Sequence, residues 1–341
     1  MTRIKTYFHR ICLLLIGPVV ALLLAEGLVR TFYPHSRDHV IPAGFFEIDN
    51  DLGWKLQAQS SATHHSRYFR TVYSTNALGY RDKPRIISKG DNLYRCLLYG
   101  DSQVFGWGLP ADQRFSNLIE AQSASLEIWN LATPGYGLDQ QIISYEKHGG
   151  QFKADEVIFF VSKSTIERNR HRYIFKKYKP KFFTDKTGNL RVTPVPDQGN
   201  QLVKVVYKIL SPFYLPYFLE RRFAILKRAS STSANAHPQK SEAEHVVLQA
   251  LDKSMIQRVK EISVARNHRM TILAHLTEAD RHNLKNFCES VAVDFVGVDI
   301  GRGNDSLAIG KHDRHWNAQA HQLIAAQLRF LLKRQTVKKS W

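Results

Sequence analysis

Five short runs rich in β-branched and aromatic residues, Tyr94–Tyr99, Leu126–Leu131, Glu156–Val161, Met270–His275 and Asp294–Val298, alternate with longer stretches of helical periodicity. The helical stretches are Phe115–Gln122, Asp139–Lys147, Ala243–Arg266, Ala279–Val291 and Ala318–Arg334. Strands of this composition, each followed by a helix, pair in parallel through crossovers rather than through tight hairpins. The alternation therefore predicts an α/β fold, a three-layer α/β/α sandwich around a central parallel sheet of five strands. A chain of 341 residues with 43% hydrophobic content can fill such a core and carry an appendage besides.

The first run, ending at Tyr99, breaks into Gly100-Asp101-Ser102. Side chains at the carboxyl edge of an α/β sheet project into the crevice where ligands bind. Serine is a poor nucleophile at neutral pH. It needs an imidazole to take its proton and a carboxylate to fix the tautomer of that imidazole. Near the other end, Asp313-Arg314-His315-Trp316-Asn317 precedes the closing helix and supplies both groups. A Gly-Asp-Ser tripeptide carries little by itself, and the blocks around it carry more.

Those blocks run in order: STNALGYRDKP from Ser74, YRCLLYGDSQVFGWG from Tyr94, NLATPGYGLDQ from Asn130, DEVIFFV from Asp155 and DRHWNAQAH from Asp313. The pattern resembles the SGNH, or GDSL-type, hydrolase family, and within it a bacterial membrane-anchored branch, from Ser74 to the C-terminus. The resemblance implies that family's flavodoxin-like fold. It also implies Ser102 as nucleophile, His315 as general base and Asp313 as the acid that orients it. Many relatives have two residues between acid and base. The one-residue spacing here is similar to the D-x-H-W form of polysaccharide-modifying members, and His312, at the alternative acid position, cannot act as a carboxylate.

The family's oxyanion hole joins the serine N–H, a glycine N–H from the second block and an asparagine side chain from the third. Here the glycine is Gly135 or Gly137. Aligning Asn169 with the family's later asparagine places Ser164 where the oxyanion asparagine belongs. A hydroxyl donates one hydrogen bond with a shorter reach than an amide. Loss of one such donor costs about 3 kcal/mol of transition-state stabilisation.

The implied activity is ester hydrolysis through an acyl-enzyme, acting on ester-linked acyl groups, acetyl in particular, of a surface glycan or similar glycan or lipid substrate. An O-acyltransferase would use the same triad. A module that has lost catalysis and binds a glycan or a polysaccharide-assembly partner is the reading from another class. No phosphate-binding glycine loop or metal-ligand spacing occurs, so no cofactor and no metal are expected.

Arg3, Lys5 and Arg10 precede an uncharged run from Ile11 to Ala25. Counted through Val29, the run approaches the roughly 20 residues that cross a bilayer. A cleaved signal peptide shares this pattern. No small-x-small cleavage site follows, and Cys12 lacks a lipobox, so an uncleaved anchor is expected. The basic residues ahead of it favour a cytoplasmic N-terminus and an extracytoplasmic, periplasmic body on the bacterial inner membrane. The expected layout is a basic tail at 1–10, a transmembrane anchor at 11–29, a connector and lead-in at 30–92, the hydrolase-like domain at 93–335 with an insertion at 170–242, and a tail at 336–341.

The net charge of +18 and pI near 9.8 would suit nucleic acid in a cytosolic chain. An anchored extracytoplasmic domain meets lipid headgroups and acidic glycans instead, so no nucleic acid partner is expected. The densest basic stretch, Arg168 to Lys181, reads as a solvated loop or as a polyanion contact. Cys12, Cys96 and Cys288 form neither a metal spacing nor a disulfide framework. Phe182 to Val195 reads as a hairpin around Thr187-Gly188-Asn189, and Ser230 to Lys240 as a linker. His321 reads as a structural histidine at the start of the closing helix, Trp316 as a shield for the imidazole, and Asp101 as the residue that fixes the nucleophile turn.

Overall fold

A computed structural model describes residues 2–38, 40–41, 44–175, 177–197, 205–206, 209–210, 212–231, 248–301 and 304–338. They form two compact units. One comprises Met1–Ala43, His65–Arg67 and Asn200–Ser241, and the other Gly44–His64, Tyr68–Gly199 and Glu242–Trp341.

In the first unit, helix α1 (Thr2–Phe32) contains the stretch expected as an anchor. Among the described residues no helix is long and apolar enough to cross a membrane, and residues 11–13 and 15 lie outside the described side chains. The expected span is therefore not found there. Glu26, the first charged residue after the uncharged run, is buried. Its carboxylate accepts the N–H groups of Tyr214 and Leu215 and the Nε–H of Arg30. It thereby caps the helix that begins at Leu215, whose first N–H groups have no partner within that helix.

The second unit opens with paired strands β1 (Phe46–Asp49) with β2 (Gly53–Leu56) and β3 (Ser61–His65) with β4 (Arg70–Ser74). The alternation follows: β5 (Tyr94–Tyr99), α2 (Ser102–Phe105), α3 (Phe115–Glu120), β6 (Leu126–Asn130), α4 (Leu138–His148), β7 (Glu156–Ser162) and α5 (Lys163–Arg168). Two antiparallel hairpins come next, β8 (Tyr173–Ile174) with β9 (Lys177–Tyr178) and β10 (Lys181–Thr184) with β11 (Leu190–Thr193), the second turning at Gly188 with φ +84°. After α6 (Leu215–Ser231) of the first unit come α7 (Ala250–Ala265), β12 (Arg269–His275), α8 (Glu278–Ser290), β13 (Asp294–Gly297), the antiparallel pair β14 (Ala308–Gly310) and β15 (Asp313–Trp316), and α9 (Ala318–Lys338).

The central sheet has the order β13-β12-β7-β5-β6, and all its pairings are parallel. β5 and β7 are buried throughout because helices cover both faces of the sheet. α3 packs on β6, α4 on β7, α7 on β12, and α8 on β12 and β13. α9 packs on α3, and α4 on α7. The expected three-layer α/β/α architecture with five parallel strands is present, and strand boundaries fall within a residue of the runs seen in the sequence. Chain direction across the sheet reverses between β5 and β7, and the crevice outside such a switch point is where ligands bind in open α/β sheets.

The lead-in departs from the expected layout. Residues 44–64 and 68–92 belong to the sheet-containing unit, with Leu52 and Trp54 in its core. The expected insertion is also divided, residues 170–199 in this unit and 200–241 in the other, and most of the expected linker at 230–240 lies outside the described residues.

Candidate active site

Gly100 ends β5 where the chain turns back over it, and a Cβ there would collide with Val104. Asp101, in an extended conformation, caps α2 by accepting the N–H of Gln103 at 3.0 Å. Ser102 is thus the first residue of a short helix at the carboxyl edge of the sheet. Asn130, the last residue of β6, donates to Val104 O at 2.9 Å and to Ser116 Oγ at 3.0 Å, tying that helix to the neighbouring strand.

The other half of the site arrives on β15. Gln103 fixes its position, accepting the N–H of Trp316 at 2.9 Å and donating to Arg314 O at 3.3 Å. His315 Nε2 then lies 2.8 Å from Ser102 Oγ, and His315 Nδ1 lies 2.6 Å from Asp313 Oδ1. An ionised carboxylate only accepts, so Nδ1 carries the imidazole proton and Nε2 is left to accept from the serine hydroxyl. Ser102 and Asp313 are buried, whereas the His315 side chain is 24% exposed. The structure brings together the three residues that the sequence picked for the triad.

Trp316 does not shield the imidazole. It packs edge-on against Phe160, His275 and His321. Trp107 lies there instead. Its ring stacks on His315 with centroids 4.9 Å apart and planes at 21°, and its Nε1–H donates to Asp313 Oδ2 at 3.3 Å.

The lead-in holds this loop. Arg81 donates to Phe105 O and Gly106 O, each at 2.8 Å, and to Leu109 O. Tyr73 Oη accepts the Gly108 N–H at 2.7 Å. Sequence reasoning did not anticipate Arg81 or Tyr73 as builders of the site. The block around STNALGYRDKP was the one signal pointing to that segment.

On the oxyanion side, the two candidate glycines differ. The Gly137 N–H is spent on Gln140 Oε1 at 3.2 Å. Gly135 has φ +86°, a region open to glycine, and neither its N–H nor that of Ser102 has an acceptor among the described residues. The loop carrying Gly135 is tied to the nucleophile turn through Thr133 N–H to Gly100 O at 3.1 Å. Arg168 adds a second tie, pairing with Asp101 at 2.8 Å and donating to Tyr136 O at 3.0 Å. The Phe175 ring, 65% exposed, would lie 3.1 Å from a Cβ placed on Gly135, closer than ordinary van der Waals contact.

Ser164 stands exposed on the first turn of α5. Ser162 and Thr165, its neighbours, are buried and cap that helix reciprocally, Ser162 N–H to Thr165 Oγ1 at 2.8 Å and Thr165 N–H to Ser162 Oγ at 3.3 Å. Asn169 joins α4 to α7, accepting the Asp139 N–H at 3.1 Å and donating to Asp252 at 2.9 Å.

The basic stretch is only partly solvated: Arg170 and Arg172 are exposed, but others are engaged within the fold. Besides Arg168 on Asp101, Lys179 is fully buried in an ion pair with Asp139, and Lys177 Nζ lies 4.6 Å from the centroid of Phe46. Lys176 lies outside the described residues.

His321 is buried, stacked on Phe115, and accepts the Phe115 N–H at 3.1 Å. Burial first, with the nearby Arg114 and Arg81 charges, holds its pKa down to about 3. Burial raises the Cys96 thiol well above its usual range and Cys288 to about 12, which keeps both from acting as thiolates. Among the described residues no group of three or more His, Cys, Asp or Glu could hold a metal ion.

No family model and no curated protein matches the chain. Solved structures to which it is similar include a member of the lipolytic protein G-D-S-L family from Veillonella parvula DSM 2008, at 10% identity over 71% of this chain and 99% of the other, with a TM-score of 0.40. Another is the psychrotrophic esterase EstA from Pseudoalteromonas sp., inhibited by monoethylphosphonate, at 10% identity over 71% and 97%, with a TM-score of 0.41. A third is LAE5, an alpha/beta hydrolase enzyme from the metagenome of Lake Arreo, Spain, at 12% identity over 71% and 97%, with a TM-score of 0.37.

Proposed function

We propose that the chain is a serine ester hydrolase of the SGNH type. The observation that carries this reading is the continuous line from Ser102 Oγ through the His315 imidazole to Asp313, with 2.8 and 2.6 Å between heavy atoms. His315 Nε2 takes the hydroxyl proton as Ser102 Oγ bonds to the ester carbonyl carbon. Asp313 stays ionised and stabilises the imidazolium that forms. The N–H groups of Ser102 and Gly135 receive the negative charge on the carbonyl oxygen, with the Ser164 hydroxyl as the third donor of this proposal. Collapse expels the alcohol, which takes its proton from His315. Water, deprotonated by His315, then attacks the acyl-enzyme, releasing the carboxylic acid and restoring Ser102. A sugar hydroxyl in place of that water would make the same triad an O-acyltransferase.

The substrate class is an acetyl ester on a surface glycan. Its support is the D-x-H-W form of the Asp313–Trp316 segment. The same reading places the N-terminal helix in a lipid bilayer with the catalytic unit outside the cytoplasm. It is supported by the exposed Leu14, Val19, Leu22, Leu23, Leu24 and Leu28 along α1 and by the basic residues ahead of them. A reporter fused after Trp341 should then be active only in its extracytoplasmic form, and high-salt washing should leave the protein in the membrane fraction. Salt screens electrostatic attachment but not burial of apolar surface. Release by salt would remove the bilayer from the proposal.

The deciding experiment is labelling of the purified, folded protein with a fluorophosphonate probe. Wild type should label and should hydrolyse p-nitrophenyl acetate, while Ser102→Ala and His315→Ala should each abolish both, a loss on the order of a millionfold in kcat. Labelling that survives in Ser102→Ala would assign another nucleophile. A folded but inert wild type would leave a glycan- or partner-binding module.

A further inference from the structure

Trp107 touches both partners of the proton relay at once. One face of the indole covers the His315 ring, nearly parallel to it at 4.9 Å, while the Nε1–H reaches Asp313 Oδ2 at 3.3 Å. The imidazole and the His315 backbone N–H both use Oδ1. The two oxygens of the carboxylate are thus held by different groups. Packing alone would be satisfied by any aromatic ring, and it does not require the polar edge of an indole to point at the acid.

The indole is itself clamped. His64 packs edge-on against it, with centroids 4.7 Å apart and planes at 81°, and His64 Nδ1 lies 3.1 Å from Tyr73 Oη. Tyr73 Oη in turn accepts the Gly108 N–H, next to Trp107 in the chain. Gly106 and Gly108, at φ +76° and +77°, let the backbone turn on either side of the tryptophan. A side chain only 7% exposed and gripped in this way cannot leave the imidazole without disturbing the lead-in strands.

We infer that Trp107 is a positioning residue for the Asp313–His315 pair, its N–H fixing the rotation of the carboxylate and its π face backing the imidazolium formed during acylation. The inference rests on the proposed serine hydrolase reading. A carboxylate held by one oxygen can swing about its Cβ–Cγ bond, and the imidazole would follow it away from Ser102. Held by both, it keeps Nδ1 protonated and Nε2 directed at the hydroxyl. When the serine proton moves to Nε2, the positive charge lies against an aromatic face, where a cation is attracted by the ring quadrupole. Trp107 takes up no proton and forms no bond to substrate.

Three replacements separate these contributions. Trp107→Phe keeps a ring and removes the donor. A genetically incorporated 3-benzothienylalanine at position 107 keeps the shape of the indole and exchanges only the N–H for sulfur. Trp107→Leu removes donor and face together. With p-nitrophenyl acetate, the benzothienyl and Phe variants should lose about tenfold in kcat, the effect of deleting one hydrogen bond to a charged group, with KM within about twofold. Trp107→Leu should lose about tenfold more as the cation–π contact goes.

The low-field NMR resonance of the His315 Nδ1 proton should shift in the benzothienyl variant, whose packing is unchanged. A structural role would instead lower thermal stability in all three and leave kcat per folded molecule and that resonance as in wild type. That result would overturn the inference. Failure of the underlying reading looks different, because the wild type itself would then be inert or Ser102→Ala would remain active.

Discussion

Around Ser102, each member of the proton relay is held from close by: Asp101 caps the serine's helix, Gln103 grips the strand that carries His315, and Trp107 reaches the far oxygen of Asp313. At the exit of β7, the strand that pairs with β5 in the sheet, the polar groups serve other ends. Ser162 and Thr165 cap α5, Asn169 ties α4 to α7, Arg168 braces Asp101, and Ser164 is left exposed. One half of the site is therefore organised for proton transfer. On the proposed function, the other half supplies the Ser102 and Gly135 N–H groups to the developing oxyanion, with the Ser164 hydroxyl proposed as a third donor. On that proposal, charge stabilisation rather than nucleophile activation is the step with room to improve.

The largest test of this contrast lies on the relay side. Asp313→Asn preserves size but exchanges an oxygen that only accepts for an amide that can donate, so the imidazole can settle in the tautomer that protonates Nε2. A loss of about ten-thousandfold in kcat is expected, following the behaviour of triads with the acid amidated. Stopped-flow acylation with p-nitrophenyl acetate measures it. A loss below about tenfold would mean that Asp313 does not set the tautomer, and the relay half would be no better organised than the oxyanion half.

The oxyanion side gives the next effect. Ser164→Asn supplies the longer amide donor, and on the proposed function kcat should rise by roughly ten- to a hundredfold with little change in KM, because the new bond acts on transition-state charge. Ser164→Ala should lower kcat by a smaller factor. Turnover unchanged in both variants would remove Ser164 from the oxyanion hole and leave Ser102 and Gly135 as its donors.

Arg168 links the two halves, so its replacement has a smaller, shared effect. Arg168→Met keeps an unbranched chain but removes the guanidinium, which lies 5.8 Å from the Phe175 ring centroid, and leaves the buried Asp101 carboxylate without this ion pair. A loss of about tenfold in kcat is expected, from loosening of both the α2 cap and the Gly135 loop. Unchanged kinetics would show that the two loops hold their places independently.

The parts of this arrangement that the sequence made readable are those set by local pattern. β-branched and aromatic runs marked the five strands, and Thr187-Gly188-Asn189 marked a hairpin. Ser102, Asp313 and His315 stood out because few side chains can do that chemistry. The lead-in was opaque for a physical reason. Arg81, Tyr73 and Trp54 find their partners 24 to 80 residues away, at Phe105, Gly108 and Pro134.

The choice of tryptophan shows the same limit. Trp316 is adjacent to His315 in a strand, and adjacent strand residues face opposite sides. Sequence proximity therefore argued for the wrong ring, whereas Trp107 comes to the imidazole only through the fold. Likewise Arg168 and Lys179 looked solvated because Asp101 and Asp139 lie 67 and 40 residues away in the chain.

His321 provides the smallest effect on activity and a contrast between two histidines. His315 is partly exposed and hydrogen-bonded on both ring nitrogens, whereas His321 is fully buried against Phe115, with burial holding its pKa down to about 3. Between that value and the ordinary one of about 6.5, the unfolded chain binds a proton that the folded chain excludes. Stability contributed by this group is therefore complete above about pH 6.5 and falls by about 1.4 kcal/mol per unit as the pH drops through the window toward 3. His321→Asn keeps an acceptor for the Phe115 N–H and does not titrate. It should be less stable than wild type at pH 7, because a smaller side chain leaves a cavity, yet lose less stability between pH 6.5 and 5, by about 2 kcal/mol. Urea unfolding at the two pH values reads the difference, with kcat at pH 7 unchanged. Parallel loss of stability in wild type and variant would show that His321 takes up its proton without unfolding, and would remove the distinction drawn between the two histidines.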